Sequence, residues 1–235
     1  MCGRVSLSME WNRLSFILSQ DFELDIPEHF PYTPHYNLAP SQPLLSVIRD
    51  KKEARNRLGY LHWNYYADPS KNTNKKNKPL TLINARSETI DAKPSFKDSF
   101  LYRPCLVVVD GFYEWEKTDK ERIPHRFIPG NQSLFYIAGL YQATPSHLQK
   151  SKQAPPFGLC LLTTAANKQM KKIHHRMPAL LPPDQAHLWL DTTLPPAYRK
   201  SILQPAPDQA MLSYIVSSCV NSVQCDDISC VQPLK

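Results

Sequence analysis

The chain has little glycine and no long apolar run. Only 6 of its 235 residues are glycine, whereas 22 are proline, so we expect many fixed turns rather than a glycine-rich flexible chain. No stretch approaches the roughly 18 apolar residues of a membrane-spanning helix, and the start lacks the features of a secretory signal. The sequence therefore predicts a cytoplasmic protein that is not secreted and has no membrane partner.

The cysteines do not follow a metal-binding pattern. Paired CxxC units and a matching histidine cluster are absent, and Cys225 and Cys230 are separated by five positions, so the spacing predicts no zinc site. Cys105 and Cys160 lie within apolar runs and are expected as buried thiols. We expect no metal and no other cofactor.

Length and charge narrow the class of protein. A chain of 235 residues suits one large or two small domains, and because we find no repeat and no linker composition, we expect a single domain over 1–235. The net charge of +7 favours polyanionic partners such as nucleic acid. A surface charge that only keeps the protein in solution explains the net charge equally well.

Hydrophobic patterning indicates more strands than helices. The pattern predicts strands over 44–48, 80–83, 105–109, 134–141, 157–164 and 212–216, and helices over 10–20, 165–173 and 183–190. We expect 26–43, which holds five prolines, to be irregular, and 68–78 to be an exposed basic loop. Most connections do not suit helical crossovers. The fold class is therefore α+β, with a mainly antiparallel, barrel-like sheet and a few short helices.

The start of the chain carries the most informative pair of residues, Met1 and Cys2. We expect Met1 to be trimmed because a small residue follows it, which leaves an α-amine and a thiol on adjacent carbons. An α-amine titrates near ~7.7–8.0, so a useful fraction is neutral at pH 7. Such an amine attacks an aldehyde to give an imine, and the neighbouring sulfur closes a thiazolidine ring.

Three further clusters supply groups that suit this chemistry. The amide of Asn84 follows a predicted strand and both donates and accepts hydrogen bonds. The carboxylate of Glu114 lies among aromatic residues, and desolvation there suits it to proton transfer. His174 precedes a second histidine at a predicted helix end, and imidazole moves protons at neutral pH. Arg4, two residues from the reactive terminus, is placed to hold a phosphate, and Arg86 should point the same way as Asn84 if the strand continues.

These clusters together resemble the SRAP family (SOS-response-associated peptidase), whose members cross-link to abasic sites in single-stranded DNA. The matching pieces occur in the family's order across nearly the whole chain: Met1-Cys2-Gly3-Arg4, Tyr36-Asn37-Leu38-Ala39-Pro40, Asn84-Ala85-Arg86-Ser87-Glu88, Asp110-Gly111-Phe112-Tyr113-Glu114-Trp115 and His174-His175-Arg176-Met177-Pro178.

The resemblance implies a covalent adduct with an abasic site, which the protein shields during the response to DNA damage. Cys2 would give the amine and thiol, Asn84 would hold the amine and the sugar, and Glu114 and His174 would move protons. The expected activity is a self-modifying, lyase-type cross-linking reaction by a monomer. The resemblance also implies a set of DNA-binding residues: Arg4, Pro40, Trp63, Arg86, Thr163 and Arg176.

Two other functions remain open from the residues alone. In the first, Cys2 is the nucleophile and His174 the base of an N-terminal thiol peptidase (a hydrolase), whose only cleavage is the removal of Met1. In the second, the protein binds single strands without a covalent bond, through its basic and aromatic residues. The second gives no role to Cys2 or Glu114.

Overall fold

The structure is a computed structural model that describes residues 2–27, 29–50, 52–67, 80–131, 133–145 and 155–234. Its helices within these ranges are α1 (Trp11–Phe22), α2 (Pro94–Tyr102), α3 (Pro183–Leu190) and α4 (Pro196–Ser201). Its strands are β1 (Val5–Leu7), β2 (His35–Leu38), β3 (Pro43–Arg49), β4 (Asn56–His62), β5 (Tyr65–Ala67), β6 (Leu80–Leu82), β7 (Asn84–Arg86), β8 (Pro104–Val109), β9 (Gly111–Lys117), β10 (Arg122–Pro129), β11 (Phe135–Ala143), β12 (Phe157–Ala165), β13 (Arg176–Pro178), β14 (Leu180–Leu181) and β15 (Met211–Ile215).

Five strands close a ring, which confirms the predicted α+β fold with a barrel-like sheet. The order is β12, β4, β3, β8 and β11, and β11 pairs again with β12. Every pairing in the ring is antiparallel except β4 with β12, where Gly158 lies opposite His62. A second sheet has the order β15, β10, β9, β1 and β2.

Asp110 joins the barrel to the second sheet, because it is the single residue between β8 and β9. Its carboxylate accepts hydrogen bonds from the hydroxyls of Ser6 and Ser8 at 2.7 Å and from the Ser8 backbone N–H at 2.6 Å. Arg126 forms a salt bridge with it at 3.0 Å. Buried charges require such partners, so this network fixes β1, and with it the start of the chain, against the end of the barrel.

The core confirms the predicted central strand. All six residues of β8 are buried, as a strand covered on both faces requires. The side chain of Trp189 in α3 closes one face, and its indole N–H donates to the Cys105 carbonyl at 2.9 Å. Cys105 and Cys160 are fully buried free thiols, as the sequence predicts.

Two local predictions are wrong. The predicted helix over 165–173 is instead the end of β12 followed by one 3₁₀ turn, Met170–Lys172. The segment does not form a helix because the end of β12 pairs with β13. The Asn167 side chain accepts from the Met170 N–H at 2.8 Å, which holds the start of the 3₁₀ turn. The segment 26–43, predicted irregular, contains β2.

Other predicted elements are found with shifted ends. The predicted strand over 80–83 is β6, which ends one residue earlier at Leu82, and β7 follows from Asn84. The predicted helix over 10–20 extends two residues further to Phe22. The predicted loop over 68–78 lies outside the described residues. Among the described helices, none is long and apolar enough to cross a bilayer.

Candidate active site at the N-terminal strand

The pairing of β1 with β9 brings Cys2 and Glu114 into one buried region. Val5 lies opposite Phe112, and the Tyr113 N–H donates to the Arg4 carbonyl at 3.0 Å. Glu114, the next residue of β9, is therefore level with the first residues of the chain. Cys2 and Glu114 are 1% and 5% exposed.

The thiol of Cys2 is held in its protonated form. Burial raises its pKa to about 12, and the negative charge of Glu114 adds to the effect. The side chain packs in an apolar cluster that includes Val5 and Trp63, and its sulfur donates weakly to the Arg4 carbonyl at 3.8 Å. At neutral pH the sulfur is thus a thiol near a carboxylate and not a preformed thiolate.

Asn84 fixes the backbone of Cys2 from the opposite side. Its amide nitrogen donates to the Cys2 carbonyl at 2.8 Å. Asn84 begins β7, which runs parallel to the end of β12 and places Asn84 opposite Leu161. The barrel strand β12 therefore supports the residue that holds the start of the chain.

His174 lies on the other flank of β12, just before β13. Its Nδ1 lies 3.0 Å from the Arg176 backbone nitrogen and 3.2 Å from the Arg176 carbonyl oxygen. The ring stacks on His175 with centroids 4.3 Å apart. The proximity of His174 is the foremost cause that lowers the pKa of His175, so the pair resists carrying two positive charges.

The three predicted phosphate-binding arginines have different surroundings. Arg86 is exposed at the end of β7. Arg176 is buried, and Glu88 accepts from both of its terminal nitrogens, at 2.6 and 2.9 Å. Arg4 donates to the carbonyl of Val220 at 2.6 Å. A phosphate would meet Arg86 directly, whereas at Arg176 it would compete with Glu88.

Trp63 and Thr163 are also buried. Trp63 is fully buried, and its indole N–H donates to the Ile83 carbonyl at 2.8 Å, so base stacking would require the ring to leave the core. The hydroxyl of Thr163 donates to the Ala85 carbonyl at 3.4 Å, which links β12 to β7. Pro40 is half-buried in the turn after β2. In this structure both Trp63 and Thr163 are buried packing residues whose hydrogen bonds hold neighbouring backbone in place.

Asn37 is a structural residue of the site that the sequence reasoning overlooked. Its side chain is buried and accepts from Arg4 at 2.6 Å. Its amide donates to the carbonyls of Ser222 at 2.9 Å and Cys225 at 2.6 Å. Asn37 thus ties Arg4 to the C-terminal segment. The sequence signal that pointed to Asn37 was its position in the Tyr36–Pro40 motif, but the motif alone does not indicate what the side chain binds.

Comparison with known proteins places the chain in a family. A family model described as "SOS response associated peptidase (SRAP)" matches residues 1–223. The chain is 39% identical over 228 residues to "Abasic site processing protein YoaM" of Bacillus subtilis, covering 94% of this chain and 93% of that protein. It is 37% identical over 227 residues to "Abasic site processing protein YoqW" of the same organism, covering 94% and 95%.

A solved structure of a protein from Bacteroides thetaiotaomicron supports the fold. It superposes with a TM-score of 0.77 over 100% of both chains at 20% identity.

Proposed function

The chain belongs to the SRAP family, and on that premise we propose that it processes abasic sites in DNA by bonding covalently to them through Cys2. The observation that carries the proposal is the group formed by the buried Cys2 and Glu114 with the half-buried Asn84, which the family match includes from residue 1. The similar proteins YoaM and YoqW carry the name abasic site processing protein.

The proposed reaction begins with an amine and ends with a ring. Removal of Met1 frees the α-amine of Cys2, which adds to the aldehyde carbon of the opened abasic sugar. Loss of one water gives the imine. The S–H of Cys2 then adds across the C=N bond, so that sulfur bonds to carbon and the thiol proton ends on nitrogen. The product is a thiazolidine, and one water is released overall.

The neighbouring groups suit the proton movements of this sequence. An abasic sugar is mostly closed as a hemiacetal, and opening it requires an acid and a base. Glu114 lies close enough to Cys2 for its charge to raise the thiol pKa, so it is placed to take the thiol proton during ring closure. His174 is the second candidate to move protons. Asn84 orients the Cys2 backbone.

We propose single-stranded DNA as the form that is bound, by a monomer over a single domain. The net charge of +7 suits a polyanion, and Arg86 offers an exposed guanidinium beside the Asn84 strand. Phosphate contacts position a strand without reading its sequence, which suits a lesion without a base. The adduct would shield the lesion during repair.

The thiol-peptidase alternative fits this site less well. A peptidase of that kind attacks with a thiolate, whereas burial raises the pKa of Cys2 to about 12. An amine-first reaction needs no thiolate at its first step. Acetylation of the α-amine separates the two functions, because it would abolish cross-linking and spare acyl transfer by sulfur.

A denaturing gel tests the proposal. Protein that begins at Cys2 is incubated with single-stranded DNA carrying one abasic site, and the same strand without the lesion is the control. We expect a slow-migrating adduct with the damaged strand alone. Cys2→Ala retains an amine and should give an adduct that survives only after borohydride reduction. Absence of any adduct from mature wild-type protein would refute the proposal.

A further inference from the structure

Three cysteines near the end of the chain meet at one point. Cys219 Sγ lies 3.7 Å from Cys230 Sγ, and Cys230 Sγ lies 3.5 Å from Cys225 Sγ. All three sulfurs lie within 4.8 Å of one another, the one group of three potential metal ligands found in the part of the chain that is described. All three are free thiols.

The spacing of the sulfurs suits a tetrahedral metal ion. Zn–S bonds of about 2.3 Å at tetrahedral angles put two sulfurs about 3.8 Å apart. The separations of Cys230 Sγ from the other two sulfurs, 3.7 and 3.5 Å, are close to that value. A disulfide would join two of the three sulfurs and leave the third without a function, whereas a metal ion uses all of them.

The backbone around the thiols is already ordered. Two 3₁₀ turns, Ser218–Asn221 and Ile228–Cys230, carry the outer cysteines, and the side chains of Ser217 and Asp227 cap them. Asn37 holds the carbonyl of Cys225 at 2.6 Å. A metal ion would therefore meet ligands whose backbone needs little further ordering, which favours binding.

We propose that Cys219, Cys225 and Cys230 bind one soft divalent metal ion, for which Zn²⁺ is the probe. Three S–H bonds break and three metal–sulfur bonds form, the three protons are released to the solvent, and one water binds at the fourth position. Cys219 and Cys225 are half-buried, so an ion can reach the site from solvent. Thiolate ligands select zinc and other soft ions over Mg²⁺ or Ca²⁺.

The site would be separate from the proposed chemistry at Cys2. The segment between its ligands supplies the Val220 carbonyl that accepts from Arg4 at 2.6 Å. Tyr113 donates to the Cys230 carbonyl at 3.3 Å, next to Glu114 in β9. Zinc at the three sulfurs would thus fasten the segment that surrounds Arg4. The proposal does not depend on DNA processing.

Metal content and cobalt spectra test the site. Reduced full-length protein is equilibrated with Zn²⁺, freed of excess ion and assayed by mass spectrometry of the metal, and we expect about one zinc per chain. Co²⁺ should give an intense thiolate-to-metal absorption band. Both signals should disappear when Cys219→Ser, Cys225→Ser and Cys230→Ser are combined. The control Cys2→Ser should keep both.

A second measurement needs no variant. Alkylation of the wild-type protein, mapped by peptide mass spectrometry, should show that Zn²⁺ protects the half-buried thiols of Cys219 and Cys225 at least tenfold and leaves the reactivity of Cys2 unchanged. Zinc below about one tenth per chain, zinc retained by the triple variant, a disulfide within the cluster of the purified reduced protein, or equal alkylation with and without Zn²⁺ would each overturn the proposal.

Discussion

The Cys2 thiol and the cluster of tail thiols lie on two sides of Arg4, and their surroundings are opposite. The Cys2 thiol donates to the Arg4 carbonyl at 3.8 Å from within an apolar cluster. On the other side, the Arg4 guanidinium donates to the carbonyl of Val220, the residue after Cys219. Cys219 lies 3.2 Å from the Ser229 hydroxyl and 3.7 Å from the Cys230 sulfur. One thiol is isolated and stays protonated, whereas the other has polar and thiol neighbours.

The comparison shows that the surroundings of a cysteine thiol decide whether it suits covalent addition or metal binding. Burial raises the pKa of Cys2 to about 12. Burial also acts to raise the pKa of Cys219, but hydrogen bonds involving Ser217 and Ser229 outweigh it, and the pKa is lowered. Cys219 is the exception within its cluster, because its hydrogen bond raises the pKa of Cys225 and burial raises the pKa of Cys230 to about 12. A sulfur that keeps its proton suits addition to an imine, whereas metal binding releases thiol protons.

The largest expected contrast is in thiol reactivity. In metal-free protein that retains Met1 behind an N-terminal extension, a rise of the Cys2 pKa from 9.0 to about 12 lowers the thiolate fraction below pH 9 about 1,000-fold. Cys2 should therefore react with iodoacetamide at least about 100-fold more slowly than Cys219 at pH 8. Peptide mass spectrometry over time measures both rates. Unfolding in denaturant should abolish the difference, and equal rates in the folded protein would contradict it.

The next largest effect is on the rate of cross-linking, and it should distinguish Glu114 from a neighbouring carboxylate. Glu114→Gln removes the proposed proton acceptor, and the initial rate of cross-linking should fall about 100-fold. It should also lower the pKa of Cys2, because the Glu114 charge raises that pKa. Gel kinetics and the pH profile of Cys2 alkylation measure the two changes.

The matched control for that variant is Glu116→Gln. Glu116 lies on the same strand, its side chain is 40% exposed and it pairs with His125. It should cross-link at the wild-type rate. A similar loss in both variants would assign the effect to the net charge of the strand instead of to Glu114.

A smaller effect tests the tie between Arg4 and the C-terminal segment. Asn37→Ala removes buried hydrogen bonds to Arg4 and to the carbonyls of Ser222 and Cys225. The free energy of unfolding should fall by about 2 kcal/mol, since orphaned buried partners cost ~1–3 kcal/mol. Urea denaturation measures the change. Asn12→Ala, at an exposed position of α1, should stay within about 0.5 kcal/mol of wild type.

The smallest effect concerns DNA. Arg86→Ala should weaken binding of undamaged single-stranded DNA a few-fold and reduce the slope of log affinity against log salt by about 1. Fluorescence anisotropy at several salt concentrations measures both quantities. Arg55→Ala, whose side chain is 63% exposed and pairs with Glu53, is the control. An equal loss at both positions would reduce the role of Arg86 to general surface charge.

The elements that the sequence predicted well are those governed by local pattern. The apolar run of β8 and the helix α3 have the expected type and nearly the expected ends. The predicted helix over 165–173 failed because pairing with β13, a tertiary contact, outweighed local preference.

Site contacts between distant residues were not predictable from local pattern. The sequence predicts that Arg176 binds phosphate, whereas in the structure its guanidinium forms a salt bridge with Glu88, which is 88 positions away. The sequence also did not predict that Cys219 lies beside Cys225 and Cys230, because that contact depends on the local fold of the C-terminal segment. Cys225 and Cys230 alone match no zinc spacing, and only the two 3₁₀ turns bring Cys219 to them.

The most direct test of the central claim is the intact mass of the adduct with abasic single-stranded DNA, measured before and after borohydride treatment. The account predicts the chain without Met1, plus the oligonucleotide, minus one water, and no change in mass on treatment because a thiazolidine has no C=N bond to reduce. An adduct that retains Met1, or one that gains two hydrogens under borohydride, would contradict it.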